Sequence, residues 1–201
     1  VLKELTHYVA NFLQNDLHWE YKYYLYFVFP LIGIFLTVFY IRIFIRRSKF
    51  YHGIPPIIYA VSHRSSKSDF HNIYSQVISS ALTVGLGGSA GLEAPAVSSG
   101  AAIGSNFGRF FGLNYRETTL LLACGAGAGI AGAFNSPIAG MIFAIEVILP
   151  EFSIPAVIPL LIATAISSVI SQLILSKPLF VLVTSGWSVD SFWYYIVLGI
   201  L

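Results

Sequence analysis

The chain has 201 residues, of which 56% are hydrophobic and 10% charged, with a formal net charge of +2. Ordinary soluble domains carry about 25% charged residues, so the expected bulk solvent for most of this chain is lipid. The few basic residues are clustered, which argues against a nucleic-acid partner. Cys124 is the single cysteine and lies in an apolar run, so no intrachain disulfide can form and helix packing is its expected role. The chain opens at Val1 with neither the basic start nor the small-residue cleavage site of a signal peptide, and it stops inside the apolar run "YYIVLGIL". It reads as a piece of a larger, multi-pass integral membrane protein of the plasma or inner membrane.

Residues 1–22 are mixed, and "NDLHWEYKYY" has the Trp and Tyr content of an interfacial loop. Tyr23 to Ile41 is uncharged and ends in "RIFIRRSK", a spanning helix with a basic flank. Positive-inside bias places Arg42, Arg46, Arg47 and Lys49 in the cytoplasm. "HGIPPIIYAVS" is a short apolar piece opened by Gly and Pro, and "HRSSKSD" a second basic loop on the same side. His71 to Leu92 and Ala94 to Gly108 are uncharged runs separated by Glu93, and "RFFGLNYRE" reads as a loop. Thr118 to Ile145 is broken at "FNSP", which predicts two shorter helices. Phe152 to Ser176 is a last long segment, "KPLFVLVTSGWSVD" a loop, and Ser191 begins another helix. Several of these helices are too short to span alone. Short helices starting within a membrane must bury their free N–H groups in protein or face a watery cavity, a device used to hold ions.

Two stretches, "GLGGSA" (Gly85 to Ala90) and "GAGIAG" (Gly127 to Gly132), match a dinucleotide-binding pattern. That pattern needs a preceding strand and a later acidic residue. Both stretches sit in apolar runs, where close packing through small residues is the better explanation. "VSSG" (Val97 to Gly100) faintly echoes an intramembrane serine protease but lacks a membrane-placed histidine partner, so an enzyme is not expected.

The informative charge is Glu93, in "GLEAPAVSSG". Pro95 suits a first helical turn, where a missing N–H costs nothing. The residues from Gly91 to Ala94 would then present unpaired N–H groups. Such a terminus carries about +0.5 charge and attracts anions. A carboxylate tethered there can occupy the anion position itself and leave it when protonated or swung out, which makes Glu93 a candidate gate. The plainer alternative is a helix cap at the membrane surface. "HGIPPI", with Pro55 and Pro56, and "FNSPIAG", with Asn135 and Ser136 as caps before Pro137, repeat the Pro-opened design.

Together these motifs resemble the CLC chloride channel and transporter family. "GLEAP" resembles its GxEGP motif, "HGIPP" its GSGIPE motif, and "GAGAGIAGAFNSPIAGMIFAIEVI" the long stretch that ends in paired glutamates. The resemblance implies an all-α, polytopic membrane protein with the inverted-repeat CLC fold and its re-entrant helices. Residues 1–201 would be the N-terminal half of the transmembrane domain, completed by a second half. It implies a homodimer in the bilayer with one anion pore per subunit, and chloride or another small anion as substrate. No cofactor or metal is implied. By position, Glu93 matches the gating glutamate. His52, Gly53 and Ile54 fall at the central anion site, with His52 where the family usually has serine. Gly91, Leu92 and Ala94 flank the gate, where Ala94 replaces a glycine and Leu92 a residue that is often basic. Glu146 matches the first of the paired glutamates and is a candidate proton acceptor, and Val147 stands where exchangers carry the second. Valine there is typical of uncoupled channels, so gated, uncoupled conduction is the leading expectation. Proton-coupled exchange of chloride or fluoride is the alternative, because a fluoride-exporting branch also departs at the serine and this glutamate. A scaffold that has lost the ion path is the remaining rival.

Overall fold

The computed structural model describes residues 22–45, 53–63, 65–151 and 153–174, together with 193, 194 and 197. All regular elements among them are helical: α1 (Lys22–Phe44), α2 (Pro55–His63), α3 (Asn72–Gly85), α4 (Glu93–Phe110), α5 (Tyr115–Phe134), α6 (Pro137–Phe143), a π-helical turn (Ala144–Ile148) and α7 (Ile154–Ile174). The order and approximate bounds follow the uncharged runs. The break at "FNSP" falls between α5 and α6 as expected. The run from His71 to Leu92 is one helix only as far as Gly85, after which a turn leads to α4.

Two expectations need correction. "RFFGLNYRE" is mostly helical, because Arg109 and Phe110 end α4, while Tyr115 to Glu117 begin α5. Asn114 and Glu117 make this tight joint through a capping box. The Asn114 side chain accepts from the Glu117 N–H at 2.9 Å, and the Glu117 carboxylate accepts from the Asn114 N–H at 3.1 Å. That reciprocal pair satisfies two orphan donors. Second, Asn135 does not cap α6. It ends α5 in the left-handed conformation (φ 55°), and its side-chain oxygen accepts from Ser168 Oγ and, at 2.8 Å, from Gln172 Nε2 of α7. Ser136 precedes α6 without a side-chain cap bond, so Pro137 alone marks that start.

α5 is the centre of the bundle, packed by α4 on one side and by α6 and α7 on the other. The glycines decide this. A Cβ on Gly100 would strike the Gly125 carbonyl, one on Gly104 the Leu121 carbonyl, and one on Gly129 the Ala96 carbonyl at 2.6 Å. The α4 and α5 backbones therefore touch. Lipid is as apolar as leucine, so helices in a membrane gain little from burial as such and depend on close van der Waals contact and hydrogen bonds. In "GAGIAG", Gly129 serves the contact with α4 and Gly127 a close approach to Gly140 of α6, and no strand precedes them among the described residues. Hydroxyls tie α7 to α5: Ser167 Oγ donates to the Ala128 carbonyl and Ser171 Oγ to the Gly132 carbonyl, both at 2.7 Å. On α7 the buried residues Ala156, Leu160, Thr164 and Ser168 recur every four positions. The isoleucines between them, such as Ile158 and Ile162, stay exposed.

α5 and α7 are the two described helices long and apolar enough to cross a membrane alone. Their settings differ. The most apolar window of α5 is 44% buried within the chain and that of α7 is 17% buried, so most of the α7 surface is left uncovered by the described residues.

The second basic loop is pinned rather than loose. Ser105 of α4 donates through Oγ to the Ser66 carbonyl at 2.6 Å and accepts from the Ser68 N–H at 2.9 Å. Ser66 is fully buried, with its hydroxyl against that of Thr119 at 2.5 Å. Lys67 beside it is exposed. With positive-inside orientation, a cysteine at Lys67 is expected to resist an impermeant thiol reagent applied outside intact cells and to react once the membrane is opened. Cys124 is buried and gives little background. Ready labelling from outside would reverse the orientation.

Candidate functional site

Glu93 is the first residue of α4 and Pro95 lies in its first turn, as the sequence predicts. No side chain caps this end, and Leu92 precedes it with backbone near helical values. The first backbone bond is accepted by the Leu92 carbonyl from the Ala96 N–H at 3.2 Å. Among the described residues nothing accepts from the N–H groups of Leu92, Glu93 or Ala94. The Glu93 carboxylate is exposed and folds back over Gly91, into the space that a Cβ on Gly91 would need. Only glycine leaves that position open to the carboxylate.

The second helix start is that of α2. Gly53 has φ +90°, in the left-handed region that favours glycine, and turns the chain into Pro55. Pro55 and Pro56 carry no N–H. The next donor, Ile57 N–H, already bonds to the Ile54 carbonyl at 2.9 Å. The N–H groups of Gly53 and Ile54 are therefore the donors this terminus offers, and no described residue accepts from them. His52 lies outside the described residues.

The start of α2 is tied to α4 by a bond the sequence did not announce. Ser98 Oγ donates to the Gly53 carbonyl at 2.8 Å. Ser98 is five residues after Glu93, about 7–8 Å along the helix axis. The start of α2 is thus held against the second turn of α4. At its other end α2 is fixed by Tyr115 Oη, which donates to the Val61 carbonyl at 3.0 Å, and by the Ser66 N–H, which donates to the Ala60 carbonyl at 2.8 Å. A cavity of about 30 Å³ lies along α2, walled by Gly53, Ser68, Asn72, Gln76 and Ser98 among others. Its walls are part polar and part apolar, with Pro56, Ile57 and Leu122 on the apolar side, and it has room for a water. "VSSG" was the visible signal for Ser98, but its chemistry is to hold a backbone carbonyl.

Glu146 and Val147 lie in the π-helical turn that continues α6. The Leu149 N–H reaches the Ala144 carbonyl at 3.0 Å, an i→i+5 bond. Successive side chains there are separated by less than the roughly 100° of an α-helix. Their surroundings still differ: Val147 packs against the buried core, whereas Glu146 is exposed.

The model of the family described as voltage gated chloride channel matches residues 19–201. The chain belongs to the CLC family. It is 35% identical over 121 residues to a putative chloride channel protein ClcB-like of Ralstonia nicotianae, covering 55% of this chain and 28% of that protein. It is 36% identical over 131 residues to the H(+)/Cl(-) exchange transporter ClcA of Salmonella arizonae, covering 59% and 26%. Among solved structures, a CLC-type fluoride/proton antiporter matches with a TM-score of 0.74 at 26% identity. A slow cyanobacterial Cl-/H+ antiporter matches with a TM-score of 0.75 at 24% identity, a likeness of fold. Each match covers 99% of this chain and 49% of the solved chain, so the chain spans about half the length of the two solved chains, and its matched stretches span about a quarter of the ClcB-like protein and of ClcA. The all-helical, polytopic CLC fold follows, with this chain as its N-terminal part.

Proposed function

We propose that this chain forms the gate-bearing half of a small-anion transporter. The observation that carries the reading is the carboxylate of Glu93 folded over Gly91 at an uncapped helix start, with the α2 terminus tethered alongside. Unpaired N–H groups at a helix start attract an anion. Glu93 is the tethered competitor for that position. Gly91, Leu92 and Ala94 shape the outer position and Gly53 and Ile54 the central one, where the family resemblance also puts His52. The complete protein works as a homodimer in the bilayer, with the second half of each subunit closing the path.

Of the two transport modes, proton-coupled exchange is the better supported, ahead of the uncoupled conduction expected from Val147. ClcA and the antiporter matched at 26% identity are both proton-coupled. In the exchange reading Glu93 carries the proton, and Glu146, exposed on this half of the subunit, is the inner acceptor. The second reading, an uncoupled conductance, keeps one favourable observation: the position matching the second glutamate is Val147, packed against the core.

The full-length protein in liposomes separates these. Chloride or fluoride release with proton uptake at a fixed ratio is the expected result; release without proton movement selects the conductance, and silence selects the scaffold. With symmetric chloride and a proton gradient, the reversal potential is expected to shift with pH, and Glu146→Gln to abolish that shift. A shift that survives in Glu146→Gln removes Glu146 from the proton route.

A further inference from the structure

We infer that Ser98 is a positioning residue that sets anion affinity by aiming and polarising the Ile54 N–H. The inference rests on the transport reading above and adds to it a residue that acts through a peptide rather than on the ion. Ser98 Oγ donates to the Gly53 carbonyl at 2.8 Å. That carbonyl shares its peptide plane with the Ile54 N–H. No described peptide bond is cis, so C=O and N–H point in opposite directions across the plane. Holding the carbonyl towards α4 therefore turns the Ile54 N–H away from Ser98, outward from the start of α2.

The plane needs such a hold. Gly53 has φ +90° and no side chain of its own to restrict it. Pro55 and Pro56 give this terminus no N–H of their own, so the direction of the Ile54 amide decides much of what the terminus offers. A hydrogen bond accepted by a carbonyl also polarises its peptide and strengthens the N–H as a donor, an effect larger in a low-dielectric site. Ser98 is itself fixed, since it is 6% exposed on a helix whose backbone touches α5. It stands on the same helix as Glu93, so the gate and the inner amide are referred to one rigid element.

The experiment compares Ser98→Ala and Ser98→Thr with wild type in the full-length protein reconstituted in liposomes, measuring flux against chloride concentration. Ser98→Ala is expected to raise the half-saturating chloride concentration about three- to tenfold, the range for loss of one neutral hydrogen bond, with maximal flux changed less than about twofold. Ser98→Thr keeps the hydroxyl and is expected to restore the wild-type value. A general packing defect would lower maximal flux and leave half-saturation in place. If Ser98→Ala does not fold, Ser98→Cys is measured instead; its weaker donor is expected to give a smaller rise in the same direction. Wild-type flux with unaltered half-saturation in Ser98→Ala, or in Ser98→Cys where that variant is needed, overturns this inference alone. A wild-type protein that moves neither chloride nor fluoride overturns the transport reading with it.

Discussion

Glu93→Gln is expected to leave the anion path open at all pH values and to abolish proton movement. The substitution keeps the shape of the side chain and removes its charge. In the wild type the carboxylate lies over Gly91, at a helix start whose first N–H groups no described residue satisfies. Its attraction to a helix start is worth about 0.3–1 kcal/mol at an exposed position, or up to about fivefold in occupancy of the closed position. The sign with pH follows. Acid protonates the carboxylate and removes its hold on the helix start, so wild-type flux rises as pH falls. Glutamine cannot titrate, so the variant's flux is flat and, near neutral pH, a few-fold above wild type. In the exchange reading the same change removes the proton carrier, so anion flux persists while proton uptake stops. Liposome flux of both anion and proton across a pH series reads all three effects. A Gln variant that follows the wild-type pH profile would reduce Glu93 to a cap.

The largest effect on folding is expected from Gly104→Val. A Cβ at this position runs into the Leu121 carbonyl and comes within 3.0 Å of the Leu122 Cα. Both obstacles are backbone, so no rotamer change relieves them. Overpacking of a core side chain costs about 1–3 kcal/mol, and this collision belongs at or above the upper end because the helices themselves must separate. Separation also strips α4 from α5 at Gly100 and Gly125, which meet carbonyl to glycine in the same interface. The expected result in the full-length protein is loss of the monodisperse peak in size-exclusion chromatography, or a fall in melting temperature of several degrees. Ile103→Val, one residue earlier and 46% exposed, is the control and should behave as wild type. A Gly104→Val protein as stable as that control would contradict the direct backbone contact.

Much of the fold was legible because the breaks carry their own signals. Prolines 55, 95 and 137 fall at or within one turn of the starts of α2, α4 and α6, where a missing N–H costs nothing. Glu93 stood out because a lone carboxylate in so apolar a run has few explanations other than function. The capping box at Asn114 and Glu117 was also written in the sequence, yet "RFFGLNYRE" reads as a loop by its charges.

By itself, then, the sequence determined the element order, the Pro-opened helix starts and the placing of Glu93 at one of them. These depend on local chemistry: charge, missing N–H groups and runs of apolar residues act on their near neighbours in the chain. Tertiary structure alone decided which of those elements meet. The Ser98–Gly53 bond joins residues 45 positions apart, and Asn135 bonds α7, 33 positions on, instead of capping the helix next to it. The same holds for Glu146 and Val147, adjacent in the chain but one exposed and the other packed on the core. A buried hydroxyl or carboxamide in an apolar run is stabilised by a partner, but which of several carbonyls it finds, if any, depends on how closely the glycine faces of α4 and α5 let the helices approach.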